Sequence, residues 1–213
     1  MSDPECIVFI VDDDSLVRDS VADLLVSAGV AAQTFGSATD FIRAERPDVS
    51  ACLILDVELP DLSGLDLQTD LTKSGIEIPI IFLTGHGDIP KSVRAMKAGA
   101  VEFLTKPFRK EELIDAVRQA LARDGEIRKQ RSENLKLRDR LGTLTPRERQ
   151  VLALVVTGLL NKQIAGELGT TELTIKVHRG RVMRKMKAAS LADLVRMAGK
   201  LNLSPPPSYT KVE

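Results

Sequence analysis

The chain has 213 residues, 43% of them hydrophobic and 28% charged, a balance that fits a globular protein and excludes a low-hydrophobicity disordered chain. No apolar run approaches the roughly 20 residues of a membrane-spanning helix, and the opening MSDPEC lacks the basic segment and apolar stretch of a secretion signal. The formal net charge of zero hides a split: residues 1–122 carry 11 Lys+Arg and 21 Asp+Glu, a net of −10, and residues 123–213 carry 19 and 9, a net of +10.

The first 122 residues alternate strand and helix five times. Strands are predicted near 6–11, 30–35, 51–56, 78–83 and 101–104, with helices near 15–28, 37–45, 64–74, 88–98 and 110–122. Strict alternation implies a parallel sheet covered by helices on both faces, and right-handed crossovers leave few topologies. Acidic residues after the first and third strands suit the order 2-1-3-4-5, in which those strands flank the switch point. Cys6 and Cys52 lie in or beside strands without CxxC spacing, so they read as reduced core residues of a cytoplasmic protein.

Residues 123–143 are almost all polar and read as a charged, helical linker interrupted near Gly125. Leu113, Ala120, Ile127, Asn134 and Leu141 fall seven apart, with Ala116, Arg123, Gln130 and Leu137 at the companion positions. That is a heptad with weak d positions and one Asn at a, so a coiled coil stands as the alternative. A second domain is expected over 144–203. Thr145-Pro-Arg-Glu148 is a helix start with Thr as N-cap and Glu at N3, for a helix to about Thr157. Asn161 caps a short helix through Leu168, a turn follows at Gly169-Thr-Thr171, and a basic helix continues to about Lys187. Ser190 caps a last helix through Met197, and the Pro-rich residues 204–213 read as a disordered tail.

Four of the apolar runs end in residues that can handle a phosphoryl group: Asp12-Asp13, Asp56, Thr84 and Lys106. In a doubly wound sheet these strand ends converge. A carboxylate nucleophile needs alignment with the phosphate and positive charge on the phosphoryl oxygens. Asp56 is the candidate nucleophile. Its carboxylate neighbours call for a hard cation such as Mg2+, Lys106 supplies a second positive charge, and Thr84 supplies a hydroxyl. Taken singly, the aspartates read as helix caps or turn residues and Lys106 as a surface lysine. Four strand ends together favour the site.

VDDDSLVR, LILDVELPDLSGLDL, IIFLTGHGD and GAVEFLTKPF resemble the receiver domain of two-component response regulators over about residues 5–122. The resemblance implies a flavodoxin-like (βα)5 fold and a phosphoryl group taken from a histidine kinase. It makes Asp56 the phosphoacceptor. Asp13, Asp56 and the Glu58 backbone carbonyl would bind Mg2+ directly and Asp12 through water. Thr84 and Lys106 would bind the phosphoryl group, and Phe103 would be the aromatic switch. Glu58 and His86, each two residues past a site residue, are expected to flank the mouth of the site, with a plain loop residue as the equal reading of His86.

In the basic half, Asn161–Leu168, the turn and the helix after it have helix-turn-helix spacing. Ile175, Val182 and Met186 face the core. Lys176, Val177, Gly180 and Arg184 fall opposite, with Arg179 and Arg181 at the edges. Lys176 suits a guanine edge, Val177 a thymine methyl, and the other cations suit phosphates. A protein-interaction bundle with a solvated basic face is the bland reading. The stretch from LTPRERQVL to LVRMA resembles the LuxR-type four-helix DNA-binding domain, over about 144–200. With the receiver it is similar to NarL/FixJ-family regulators in the style of FixJ-like members, though the linker is long for that group. The expected DNA set is Thr171, Thr174, Lys176, Val177, Arg179, Gly180 and Arg184, while His178 is expected to pack.

The resemblance implies a phosphorylation-activated transcription regulator. Double-stranded DNA, a histidine kinase, RNA polymerase and, after phosphorylation, a second copy of the chain are its partners. Two rivals stand beside it. A regulator that binds DNA regardless of phosphate would keep the same residues. A haloacid-dehalogenase-type phosphatase would need an Asp two residues past the nucleophile, where this chain has Glu58, and a substrate cap that the sequence does not show.

Overall fold

The computed structural model describes residues 5–85 and 89–203. The chain divides into two compact units, Met1–Arg128 and Lys129–Glu213. His86 and the expected tail lie outside the described residues. Among the described residues no helix is long and apolar enough to cross a membrane.

The first unit is a parallel sheet of β1 (Cys6–Val11), β2 (Ala31–Phe35), β3 (Ser50–Asp56), β4 (Ile80–Thr84) and β5 (Glu102–Thr105), in the order β2-β1-β3-β4-β5. The central strands are apolar at successive positions because both of their faces are covered, whereas edge strands β2 and β5 are only half-buried. One face packs Phe9, Leu53, Leu55 and Phe82 under α2 (Ala38–Arg43), α3 (Gly64–Lys73) and α4 (Ile89–Lys97). The other packs Val8, Ile10, Ile54 and Leu83 under α1 (Ser15–Ser27) and the first turns of α5 (Lys110–Gly142). Phe9, Phe35 and Phe41 form a tilted aromatic cluster, with Phe9 and Phe41 centroids 5.6 Å apart.

Helix α5 runs unbroken through Gly125, where an interruption was expected. Asp124 is the reason. Its carboxylate, 4% exposed, accepts the backbone N–H of Ala51 at 2.9 Å and Nε of Arg128 at 2.8 Å, and Arg128 also pairs with Asp48. These bonds fasten the helix to the start of β3 and offset the roughly 1 kcal/mol cost of a mid-helix Gly. Of the heptad positions, Leu113, Ala116 and Ala120 lie in the core of the first unit, while in the second Leu141 packs against the core and Leu137 is buried. Arg123 and Gln130, between these two sets, are exposed.

In the second unit α6 (Pro146–Val155), α7 (Asn161–Glu167), α8 (Glu172–Met186) and α9 (Leu191–Lys200) enclose Val151, Leu152, Ile164, Ile175, Val182 and Leu194. Thr145 and Glu148 form the expected capping box of α6, and Ser190 caps α9. Asn161 is not the cap of α7. Leu160 holds that position, Gln163 Oε1 accepts its N–H at 2.8 Å, and Asn161 is already helical. Helix α8 ends at Lys187, which adopts the left-handed conformation at φ 54°.

Candidate functional sites

At the carboxyl ends of the central strands the acidic residues meet. The register pairs Val11 with Leu55, so Asp12 and Asp56 leave adjacent strands side by side. Carboxylate oxygens of Asp12, Asp13 and Asp56 lie within 4.8 Å of one another. Asp12 and Asp56 are buried and Asp13 is exposed. Lys106, in the loop after β5, donates from Nζ to Asp12 Oδ2 at 2.6 Å and to Asp56 Oδ2 at 3.2 Å. Its backbone N–H is anchored on the Thr84 carbonyl at 2.7 Å, which aims the side chain across the strand ends.

Backbone contacts hold this cluster still. Asp12 Oδ1 accepts the N–H of Asp14 at 3.0 Å, and its carbonyl accepts Arg18 Nη1 at 2.6 Å. Asp14 in turn caps α1 through the Leu16 N–H at 2.9 Å. After β3, the Glu58 N–H reaches Asp56 Oδ1 at 3.4 Å, and the Gly64 N–H donates to the Val57 carbonyl at 3.0 Å. The Glu58 carboxylate pairs with Lys91 of α4 at 2.9 Å.

Burial raises the Asp56 carboxyl above the ordinary range, the Asp12 charge adds to it, and Lys106 partly offsets both. Burial works against the Lys106 ammonium, but the hydrogen bond to Asp12 and the charges of Asp56 and Asp12 outweigh it and raise the group. Burial pushes the Cys52 thiol well up, leaving it inert in the core.

Thr84, 2% exposed, ends β4. Phe103 is half-buried two residues before Thr105 on β5, its ring 6.1 Å from that of Phe82. The pairs Phe82–Phe103 and Thr84–Thr105 put Thr84 and Phe103 on one face of the sheet. Hydrogen bonds thus unite Asp12, Asp56 and Lys106, with Asp13 beside them, and leave Phe103 back along its strand. Arg18, and the closeness of Gly64 to Asp56, were not legible beforehand, since both depend on how loops fold against strand ends.

The second candidate surface lies on α8. Ile175, Val182 and Met186 are buried, while Lys176, Val177, Gly180 and Arg184 are exposed opposite them. Thr171 caps the helix by accepting the Thr174 N–H at 3.2 Å. A Cβ on Gly180 would meet nothing within 4 Å, so packing inside the protein does not require glycine there. His178 is half-buried with its Nδ1 shielded and without a partner among the described residues. Arg179, also half-buried, donates to Asn161 Oδ1 at 2.9 Å. Beneath, the carboxylate of buried Glu148 accepts Lys185 Nζ at 2.6 Å, tying the start of α6 to the end of α8.

Residues 8–118 match the family described as "Response regulator receiver domain", and residues 142–198 match "Bacterial regulatory proteins, luxR family". Nodulation protein W of Bradyrhizobium diazoefficiens is 54% identical over 94% of this chain and 88% of its own length. The transcriptional regulatory protein FixJ of Azorhizobium caulinodans is 45% identical over 93% and 94%. Among solved structures, the response regulator StyR is 49% identical with a TM-score of 0.82, covering 92% of this chain and 99% of that one. Full-length FixJ from B. japonicum is 37% identical with a TM-score of 0.57, covering 95% and 99%.

Proposed function

Because the chain belongs to the response regulators that join a receiver domain to a LuxR-type DNA-binding domain, we propose that Asp56 is its phosphoacceptor and that phosphate there strengthens DNA binding by α8. The protein is a transcription regulator of the FixJ-like kind, not a classical enzyme, and phosphorylation-dependent activation is its family's behaviour. A receiver and a DNA-binding domain imply a histidine kinase and DNA as partners.

The observation that carries the assignment is the bridge from Lys106 Nζ to both Asp12 and Asp56 at the sheet's carboxyl edge. A carboxylate oxygen of Asp56 attacks the phosphorus of the kinase's phosphohistidine. The new P–O bond forms as the P–N bond breaks, and the imidazole nitrogen keeps the electron pair. Lys106 then transfers its ammonium contact to a phosphoryl oxygen, and the Thr84 hydroxyl donates to another. Phe103, on the same sheet face as Thr84, follows it inward and reshapes the surface of α4 and β5. The domain's only chemistry is its own phosphorylation and dephosphorylation.

Receiver domains bind Mg2+ at an acidic pocket, and three clustered carboxylates, joined by no histidine or cysteine among the described residues, suit that hard cation. Asp13, Asp56 and the Glu58 carbonyl would hold it directly and Asp12 through water. When bound it neutralises the anionic oxygens that three carboxylates would otherwise repel.

Thr171, Thr174, Lys176, Val177, Gly180 and Arg184 form the DNA face, with Lys176 and Val177 reading bases and Arg184 holding phosphate. Gly180, open on its outer side, lets the backbone approach the duplex. Ile89, Val93 and Met96 of α4 are exposed apolar residues, which supports dimerisation through that face after phosphorylation. Promoter-bound dimers would then engage RNA polymerase in the cytoplasm. The test is DNA affinity with and without beryllofluoride, on a duplex selected from a random library. At least tenfold tighter binding with the mimic is expected from two linked domains, and equal affinity would favour constitutive binding.

A further inference from the structure

Arg179 lies near the middle of α8, between the DNA face and the core. A cation there invites assignment as a phosphate contact, but one nitrogen of its guanidinium already has a partner inside the protein. Nη1 donates to Oδ1 of Asn161, the first residue of α7, at 2.9 Å. Among the described residues no other side-chain hydrogen bond joins α7 to α8. Ile164 and Ala165 of α7 and Ile175 of α8 belong to one apolar core. Apolar contact is non-directional and tolerates small rotations of one helix on the other. A hydrogen bond between planar groups does not, because it weakens steeply with angle.

That difference matters for a helix-turn-helix. Its second helix lies in the major groove while the first crosses the sugar-phosphate backbone. The angle between the helices decides whether both engagements can be made together. We infer that Arg179 is a positioning residue. It braces α7 against α8 through Asn161, and its effect on DNA affinity passes through that bond rather than through a phosphate. The inference rests on the DNA-binding reading above and assigns to Asn161 a function in place of the helix cap expected from sequence.

A double-mutant cycle separates the alternatives. Full-length wild type, Arg179→Ala, Asn161→Ala and the double variant are titrated, with beryllofluoride, against a duplex selected from a random library, at several salt concentrations. Thermal unfolding of each is followed by circular dichroism. Each single variant should bind about threefold to tenfold more weakly, the scale of one ordinary hydrogen bond. The double variant should bind no more weakly than the worse single one. The slope of log affinity against log salt should stay unchanged, and the losses in melting temperature should be likewise non-additive. Additive losses, or a salt slope lowered by about one unit in Arg179→Ala alone, would overturn the brace and restore the phosphate contact. Lys176→Ala runs in parallel. If wild type binds no duplex specifically and Lys176→Ala changes nothing, the DNA-binding reading falls and takes the brace with it.

Discussion

A Cβ on Gly64 would lie 2.2 Å from the backbone carbonyl oxygen of Asp56. Both groups are backbone, so neither can swing aside. The start of α3 fits against the end of β3 only because residue 64 has no side chain. Gly64→Ala must therefore displace the strand end that carries Asp56. Phosphorylation by a small-molecule donor is expected to slow at least tenfold, because sub-ångström misplacement costs much of an aligned reaction. Stability should fall by about 1–3 kcal/mol, as for other overpacked sites. A wild-type rate in this variant would mean that the loop absorbs the clash.

Incubation with a small-molecule phosphodonor and Mg2+ should add one phosphoryl group to the protein, found on Asp56 by mass spectrometry. Asp56→Asn should abolish it. Label that persists at an unchanged level in the variant would move the acceptor elsewhere.

Beryllofluoride should convert a largely monomeric protein into a dimer at tens of micromolar, read by light scattering. Ile89→Asp on the exposed face of α4 should block that conversion while leaving Asp56, Thr84 and Lys106 in place. A wild-type mass that stays monomeric, or a dimer that ignores Ile89→Asp, would remove α4 as the dimer surface.

Lys176 is exposed on α8, next to the buried Ile175. Lys176→Ala should weaken binding to the selected duplex by roughly 1–3 kcal/mol while changing a scrambled duplex less, the signature of a base contact. Equal loss on both duplexes would make Lys176 a phosphate contact instead.

Glu148 gives a pH dependence of known sign. The hydrogen bond from Lys185, then that from the Thr145 backbone, depress its carboxyl to about 2. A group depressed in the folded state stabilises fully above its unfolded value of roughly 4.3 and loses that contribution as pH falls toward about 2. Glu148→Gln keeps the capping-box pattern without the titration. Denaturant unfolding across that acid window should show a shallower fall in stability for the variant. Parallel curves would assign the acid sensitivity to other groups.

The parallel sheet was readable because strands buried on both faces are apolar at every position, as Ile7 to Val11 and Cys52 to Leu55 are. The acid pocket was readable because topology forces strand ends together, so Asp12, Asp56 and Lys106 converge however far apart they lie in the chain. Contacts made by single side chains across elements left no such trace. Glu148 was visible as a cap residue but not as the partner of Lys185, and Asn161 looked like a cap because a short polar side chain before an apolar run usually is one. Asp124 sat in a polar stretch, and nothing local distinguishes a solvated aspartate from one that closes the start of a strand.

That last contact has a practical side for anyone who separates the two halves. A fragment ending at Ala122, where the charge balance changes sign, would delete the carboxylate that accepts the Ala51 amide and the arginine that engages Asp48. The strand leading to Asp56 would then begin with an unanswered donor, at a cost of about 1–3 kcal/mol. Weak phosphorylation of such a fragment would reflect the cut and not the site. A fragment ending at Arg128 keeps both bonds, and residues inserted after that point would lengthen the tether without disturbing the strand.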